Sequence, residues 1–248
     1  MLIAQISDCH LPADPRQKYR GINPHKNLKK LMRKVKALKP DLLLATGDLS
    51  EDGSQKSYRL LKQHLNLPGI PVLALPGNHD DAVLLAEVFP SSPVETISIT
   101  EHGPWQIIRL NSCLPCKPEG RVSEKTLEDL GCLLSDDSQR PRLIAVHHQP
   151  ISVGSPWIDK YPLLNPEPLL HLIDHHRDVK VVVWGHIHRA FENQRTGQRN
   201  GTAMLGGPSS AINSLADVQK FTEDPAGPAC RWLELNPDGT FLTGVVSL

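Results

Sequence analysis

Aspartate, asparagine and histidine recur in five short segments of this chain: Asp8-Cys9-His10, Gly47-Asp48, Gly77-Asn78-His79-Asp80, His147-His148 and Gly185-His186-Ile187-His188. Carboxylate oxygens and imidazole nitrogens together suit manganese, iron, cobalt or zinc, whereas calcium and magnesium prefer shells of oxygen alone. Asp8, His10, Asp48, Asn78, His147, His186 and His188 supply seven donors, enough for two ions rather than one. Asp48 follows a glycine, which lets the backbone turn sharply and leaves both carboxylate oxygens free to bridge the ions. Asn78 would add a neutral amide oxygen. Two divalent ions, two carboxylates and one hydroxide leave the centre net positive, so an anionic phosphate is the fitting guest. A pair of ions about 3.5–4 Å apart acidifies a shared water and clamps both ends of an in-line displacement at phosphorus.

His79 is adjacent to Asn78 and, by alternation, would face away from the ions. It is placed to protonate a leaving alkoxide, a general-acid contribution of roughly 10²–10⁴ in rate. Glu51, three residues after Asp48, is the expected carboxylate that orients His79, ahead of Asp52 or Asp80. Each segment alone also reads as something plainer. Asp-x-His can be a surface loop, Gly-Asp and Gly-Asn-His-Asp can be turns, and His147-His148 can be a core histidine with an exposed partner. Taken together they are hard to dismiss, because six of the twelve histidines fall in these segments and each segment ends an apolar run.

Those runs are the elements that must position the donors. Residues 2–6, 42–45, 72–75, 143–146 and 179–184 read as strands, and the ends of neighbouring strands in one sheet meet at its carboxyl edge. Asp8 and His10, like His186 and His188, are two apart, so on a regular strand both side chains would point to one side. Between the strands lie helical patterns. Asn23-Pro24 caps the first, Leu28, Leu31, Met32, Val35 and Leu38 form its apolar stripe, and Lys39-Pro40 ends it. Lys29, Lys30, Arg33, Lys34, Lys36 and Lys39 read as a solvated face rather than a nucleic-acid patch. Further helices are expected near residues 54–65, 80–88, 123–134 and 166–176. After His188 the character changes to short strands at 202–205, 229–235 and 240–246 between Gly, Pro and Asn turns, which suggests a second, largely antiparallel sheet packed on the first. The result is an α/β fold in a single domain over residues 1–248.

Bulk properties exclude several partners. With 27 basic and 27 acidic residues the formal net charge is 0, which removes the usual electrostatic case for nucleic-acid or membrane binding. No run of about 18 apolar residues is available to span a membrane. The amino terminus enters a strand at once with no basic leader region, so a cytoplasmic protein is expected. Five scattered cysteines fit reduced thiols, and Cys113-Leu114-Pro115-Cys116 reads as a loop that happens to hold two of them.

The five segments resemble the calcineurin-like metallophosphoesterase superfamily, whose pattern is D-x-H, G-D, G-N-H-D/E, H and G-H-x-H. The resemblance implies a four-layer α/β/β/α sandwich with two transition metals per subunit, iron or manganese foremost and zinc or cobalt as further options. Asp8, His10, Asp48 and His188 would hold one ion, and Asp48, Asn78, His147 and His186 the other. Asp48 and His79 would carry the catalysis, and His10, Asp48, Asn78, His79 and His188 would bind the substrate. Within the superfamily the chain is similar, nearly end to end, to the class III cyclic nucleotide phosphodiesterases, the bacterial 3′,5′-cyclic-AMP phosphodiesterase group. The similarity runs through Ser7–Leu11, Thr46–Ser50, Asp52-Gly53-Ser54, Leu75–Asp80, Leu110-Asn111-Ser112, Gly120–Ser123, Trp157-Ile158-Asp159 and Trp184–His188. It implies hydrolysis of cyclic AMP, and of other cyclic nucleotides, to the 5′-monophosphate; a homodimer is admitted. The base would lie against residues 11–23, 111–121 and 149–159, with Tyr19, Trp157 and Tyr161 available for stacking. Gln149-Pro150 and Gly207-Pro208-Ser209-Ser210 depart from that group and are expected to line the same pocket. Competing readings are a general phosphodiesterase, nuclease or lipid-precursor pyrophosphatase on the same fold, and an inactive binding scaffold. The protein-phosphatase branch carries Asp-Arg-Gly soon after the bridging aspartate, where this chain has Leu49-Ser50-Glu51. An inactive scaffold would have lost a ligand or the acid histidine, and none is missing.

Overall fold

A strand covered on both faces must be apolar throughout, and the runs that lead to the five segments meet that condition. The computed structural model describes residues 1–136, 138, 140–196 and 201–248. In it β1 (Leu2–Ile6), β2 (Leu42–Thr46) and β3 (Val72–Leu75) lie parallel, and β10 (Ala229–Leu235) and β11 (Phe241–Ser247) extend the sheet antiparallel in the order β11-β10-β1-β2-β3. A second sheet has the order β4-β5-β6-β7-β9-β8. Its members are β4 (Ile97–His102), β5 (Trp105–Leu110), β6 (Arg142–Ala145), β7 (Val179–Trp184), β8 (Phe191–Thr196) and β9 (Gly201–Gly206).

The period of two along each strand sorts the apolar side chains into three cores. Ile3, Leu42, Leu44, Leu73 and Leu75 meet Trp105, Ile107, Leu143, Val181, Val183 and Leu205 between the sheets. Their neighbours Ala4, Ile6, Leu43, Ala45 and Ala74 face outward and are covered by α1 (Pro24–Leu38), α2 (Gln55–His64) and α3 (Ala82–Val88) through Leu28, Leu31, Val35, Leu61 and Leu85. On the far side Ile108, Ile144, Val182, Trp184 and Met204 are covered by Leu130 and Leu134 of α4 (Glu124–Leu134) and by Leu169 and Ile173 of α5 (Pro166–His175). The layers are α/β/β/α.

Helix boundaries follow their caps. The Asn23, Ser54, Asp81 and Ser123 side chains each accept a first-turn backbone N–H, which is why α1 to α4 start where they do. Lys29, Lys30, Arg33, Lys34 and Lys36 are exposed, as a solvated face requires. No helix among the described residues is long and apolar enough to cross a membrane.

Two expectations need correction. The strands after His188 do not form a sheet of their own: β8 and β9 complete the second sheet, while β10 and β11 complete the first. The five segments also do not end strands of one sheet, because β1, β2 and β3 belong to the first and β6 and β7 to the second. The site is therefore a seam. The hairpin β4–β5, joined by Gly103-Pro104, escapes the hydropathy pattern because Gln106 and Arg109 interrupt a strand that is buried at every position.

The seam is closely packed. Gln5 Nε2 donates to Thr46 Oγ1 at 3.0 Å and to the Trp184 carbonyl at 2.9 Å, tying β1 and β2 to β7. A methyl at Gly185 would overlap the Ser7 hydroxyl and lie 2.7 Å from the Thr46 carbonyl oxygen and 2.9 Å from Asp8 Oδ2. Gly185→Ala should therefore cost about 1–3 kcal/mol, the range for overpacking a filled interior. Urea denaturation reads this as a lower midpoint; an unchanged midpoint would mean that the sheets can part here without loss.

Candidate dinuclear metal centre

The loops after β1 and β2 keep running together beyond their strands. Asp8 N–H donates to the Gly47 carbonyl at 3.0 Å, and His10 N–H to the Asp48 carbonyl at 2.9 Å. In these loops and in the one after β7 the backbone turns left-handed at the donors themselves: Asp8 (φ +51°), His10 (φ +43°), Asp48 (φ +48°), His186 (φ +66°) and His188 (φ +48°). Such conformations cost on the order of 1–3 kcal/mol each for residues other than glycine, and concentrate at functional sites. Asp and His tolerate them better than most residues. Asp8 and His10 thus converge through turned backbone, not through strand alternation as the spacing suggested.

Asp8 pins the second sheet to the first, its two carboxylate oxygens accepting the His186 N–H at 3.0 and 3.1 Å. All seven expected donors meet at this seam. His10 Nε2 and His188 Nε2 are 3.1 Å apart, with Asp48 Oδ2 3.7 Å from His10 Nε2 and Asp8 Oδ1 3.5 Å from His188 Nε2. On the other side His147 Nε2 lies 3.2 Å from Asn78 Oδ1 and 3.4 Å from Asp48 Oδ1. Asp48 faces both groups, one carboxylate oxygen towards each. His186 packs edge-on against His147, ring centroids 5.0 Å apart.

Each imidazole presents one nitrogen to the seam because the other is already bonded. His147 Nδ1–H donates to the Thr46 carbonyl at 2.8 Å, His188 Nδ1–H to the Ile212 carbonyl at 2.8 Å, and His186 Nε2–H to the Tyr161 carbonyl at 2.9 Å. His10 Nδ1–H donates to Glu51 Oε2 at 2.8 Å. Metal-ligating histidines are fixed in this way, with the second ring nitrogen donating to a carbonyl or carboxylate. Charge agrees with that chemistry. Burial raises the Asp8 carboxyl to about 7, and the nearby His147 offsets this only in part. Burial works in the same direction on Asp48, but His147 and His10 beside it hold its carboxyl well below the usual range. Against its own burial, His147 is raised to about 9 by Asp48. The donor set, the free nitrogens and the uncompensated carboxylate all fit a pair of cations.

His79 is beside the cluster and not turned from it. Its ring meets that of His10 edge-on at 4.8 Å, its backbone N–H donates to Asp48 Oδ1 at 2.9 Å, and its side chain is 37% exposed at the mouth. Glu51 Oε2 lies 3.4 Å from His79 Nδ1. The other two acids serve the backbone: Asp52 accepts from Ala13 and Ser54, and Asp80 from Leu49, Ser50, Gly77 and the Tyr58 hydroxyl.

Around the donors is a cleft of about 220 Å³ lined by His10, Tyr19, Arg20, His79, Pro118, Trp157, Ile158 and Tyr161, among others. Each of the three expected wall segments contributes to it. Tyr19 is committed, stacked on His10 with centroids 4.1 Å apart and planes 9° from parallel. Gln149 and Ser209-Ser210 do not line the cleft as expected. Gln149 is buried on the Ile158 carbonyl, while the Ser209 and Ser210 hydroxyls donate to the Asp8 and Ser7 carbonyls and brace the β1 loop from behind. Sequence reasoning gave no site role to three residues that the structure places here. Phe221, from the loop before β10, meets Trp157 and His188 edge-on. Arg20 lies at the rim. His148 is wholly buried beside His147 and His186, its Nδ1 paired with the Ser112 hydroxyl at 2.8 Å and its Nε2 without a partner among the described residues. A larger hollow of about 530 Å³ opens at the opposite, amino-terminal edge of the second sheet, among Asp136, His176, Asp178 and Lys180, and holds none of these groups.

Comparison with known proteins agrees with this geometry. The chain is 38% identical over 245 residues to a 3′,5′-cyclic-nucleotide phosphodiesterase of Nostoc sp., covering 98% of this chain and 91% of that one. It is 32% identical over 248 residues to the 3′,5′-cyclic adenosine monophosphate phosphodiesterase CpdA of Pseudomonas aeruginosa, covering 99% and 89%. Among solved structures, a dimetal phosphatase from Danio rerio shares the fold with a TM-score of 0.68 at 14% identity, covering 94% of each chain. A purple acid phosphatase from yellow lupin does so with a TM-score of 0.66 at 16% identity, covering 99% of this chain and 53% of that one. Residues 1–190 match the calcineurin-like phosphoesterase family, and with the D-x-H, G-D, G-N-H-D, H and G-H-x-H residues gathered at one seam, the chain belongs to that family.

Proposed function

We propose that this protein is a metal-dependent phosphodiesterase that hydrolyses 3′,5′-cyclic AMP to 5′-AMP, with activity on other cyclic nucleotides. The observation that carries the reading is the convergence of Asp8, His10, Asp48, Asn78, His147, His186 and His188, each histidine offering its free nitrogen. The cyclic-nucleotide phosphodiesterases similar to it over nearly its whole length support the choice of substrate. Asp8, His10, Asp48 and His188 would hold one ion, and Asp48, Asn78, His147 and His186 the other. Mixed nitrogen and oxygen donors favour iron or manganese, with zinc or cobalt as substitutes. When bound, such a pair polarises the phosphate and makes a water molecule acidic enough to act at neutral pH. The absence of a long apolar helix among the described residues is compatible with action in the cytoplasm.

The chain's own groups supply the rest. Asn78 and the donor histidines orient the phosphate across the seam. His79 Nδ1 faces Glu51, which leaves Nε2 to deliver a proton to the departing 3′ oxygen. The exposure of His79 at the mouth lets it recover that proton from solvent. Trp157 and Tyr161 border the space that a base would enter.

The direct test is product analysis with cyclic AMP on manganese-loaded protein, alongside elemental analysis. Two metals per chain and formation of 5′-AMP are expected. A single ion under excess metal, or brisk turnover of a nitrophenyl diester with no 5′-AMP at millimolar cyclic AMP, would sink the reading. Asp48→Ala should remove activity together with most of the bound metal, since both ions lose a donor. Near-normal turnover in that variant would remove Asp48 from the bridging position.

His79→Ala should keep both metals while losing roughly 10²–10⁴ in rate on cyclic AMP, whose 3′ alkoxide needs a proton as it leaves. The loss on a bis-nitrophenyl diester should be much smaller, because nitrophenolate leaves unaided. Equal losses on both substrates would make His79 a phosphate-positioning group instead of the acid.

A further inference from the structure

The wall beside His10 and His188 ends in a turn that its sequence should resist. Tyr19 N–H donates to the Ile22 carbonyl at 3.0 Å and Ile22 N–H to the Tyr19 carbonyl at 2.9 Å, with Arg20 (φ +45°) and Gly21 (φ +87°) between them. Positive φ at both central residues makes a type I′ hairpin turn, which favours Asn, Asp or Gly at the first of them. Arginine stands there instead. A residue held in a disfavoured conformation is a pointer to function where other contacts give it a task.

Arg20 is held from two sides. Its Nε donates to the Tyr19 hydroxyl at 3.0 Å, and its Cζ lies 4.2 Å from the ring centroid of Phe221, which reaches the cleft from the far end of the chain. Tyr19 is the ring stacked on His10, and Phe221 stands edge-on to His188 with centroids 6.0 Å apart. Arg20 is thus one ring outward from the His10–His188 pair. What reaches it from a phosphate held at that pair is the group that the phosphate carries. Arg20 is also the one arginine or lysine that lines the cleft among the described residues, and beyond Nε its guanidinium makes no hydrogen bond among them. A planar guanidinium backed by an aromatic ring is a surface on which a nucleobase stacks.

We propose that Arg20 binds the nucleobase of the substrate, with its guanidinium stacked on the base and Phe221 behind it, and so sets the preference for nucleotide diesters. This rests on the cyclic-nucleotide reading above. Tyr19, stacked on His10 and bonded to Arg20 Nε, positions the arginine and is not the base-stacking ring.

The test compares wild type, Arg20→Ala and Arg20→Lys on cyclic AMP and on abasic ribose 3′,5′-cyclic phosphate. The latter has the same ring and leaving group but no base. Hydrolysis is followed by ³¹P NMR on metal-loaded protein of measured metal content. Arg20→Ala should raise KM for cyclic AMP roughly ten- to a hundredfold, the range of base stacking, with kcat within about twofold and the abasic substrate unaffected. Arg20→Lys should not restore KM, because an ammonium has no plane. An unchanged KM, an equal loss on both substrates, or full recovery by lysine would overturn the proposal. A wild type that leaves cyclic AMP intact overturns the substrate reading and this one together, whereas a wild type that hydrolyses it alongside an unaltered Arg20→Ala overturns this one alone.

Discussion

Two carboxylates buried where the two sheets meet, without a lysine or arginine in contact among the described residues, set the terms for the rest of the molecule. Asp8 is wholly buried and Asp48 is 2% exposed. Holding a carboxylate in such a place costs several kcal/mol unless hydrogen bonds and opposite charge offset it. Backbone amides and imidazoles do part of this, through His186 N–H on Asp8 and through His79 N–H and His147 on Asp48. The remainder is a deficit of positive charge at one point, which a pair of cations would remove. The hydrogen bond that helps to relieve Asp8 comes from the other sheet, so the electrostatics of the centre and the docking of the sheets are the same problem. Gln5 and the absent side chain of Gly185 hold that docking in place.

A seam between parallel strands gives each loop little room, and the backbone accepts strain to use it. Five donor residues sit in the left-handed region, none of them glycine. Their side chains leave the loop at angles that a strand does not offer. The loops stay in that shape because they are hydrogen-bonded to one another, β1 loop to β2 loop, and because Asp80 collects the amides of Leu49, Ser50 and Gly77 on one carboxylate. Ser209 and Ser210 brace the same turn from the rear. Residues that resemble spare polar groups in the sequence are therefore the scaffold of the donors.

This explains which parts of the molecule could be read from sequence. Strand ends, the Asn23 cap and residue types are local, so β1, β2, β3, β7 and the start of α1 were legible, and so were the seven residues that meet at the seam. Sheet membership is not local: the alternation in β9, β10 and β11 is the same whichever sheet they join. The strand β5 was hidden because Arg109 and Gln106 are buried polar residues that make their own hydrogen bonds, to Thr100 and from Arg142. Tyr19 was recognisable as an aromatic residue near the cleft, but its use was not, since stacking on His10 requires the Arg20-Gly21 turn to fold the loop back. Phe221 gave no signal at all, because its loop reaches the cleft only after the chain has crossed both sheets.

Glu51 shows how closely the parts depend on one another. The same oxygen, Oε2, accepts from His10 Nδ1 at 2.8 Å and lies 3.4 Å from His79 Nδ1. One imidazole has a nitrogen directed at the candidate centre, and the other stands at the mouth where a leaving group would depart. Through the first contact the carboxylate fixes the tautomer that leaves His10 Nε2 free. Through the second it lies beside His79 Nδ1, which leaves Nε2 as the free nitrogen of that ring. A carboxylate with two such partners cannot serve one fully without weakening its hold on the other. The orientation of the His79 ring is thereby tied to that of the His10 ring through a single oxygen, so a change at either imidazole is felt at the other.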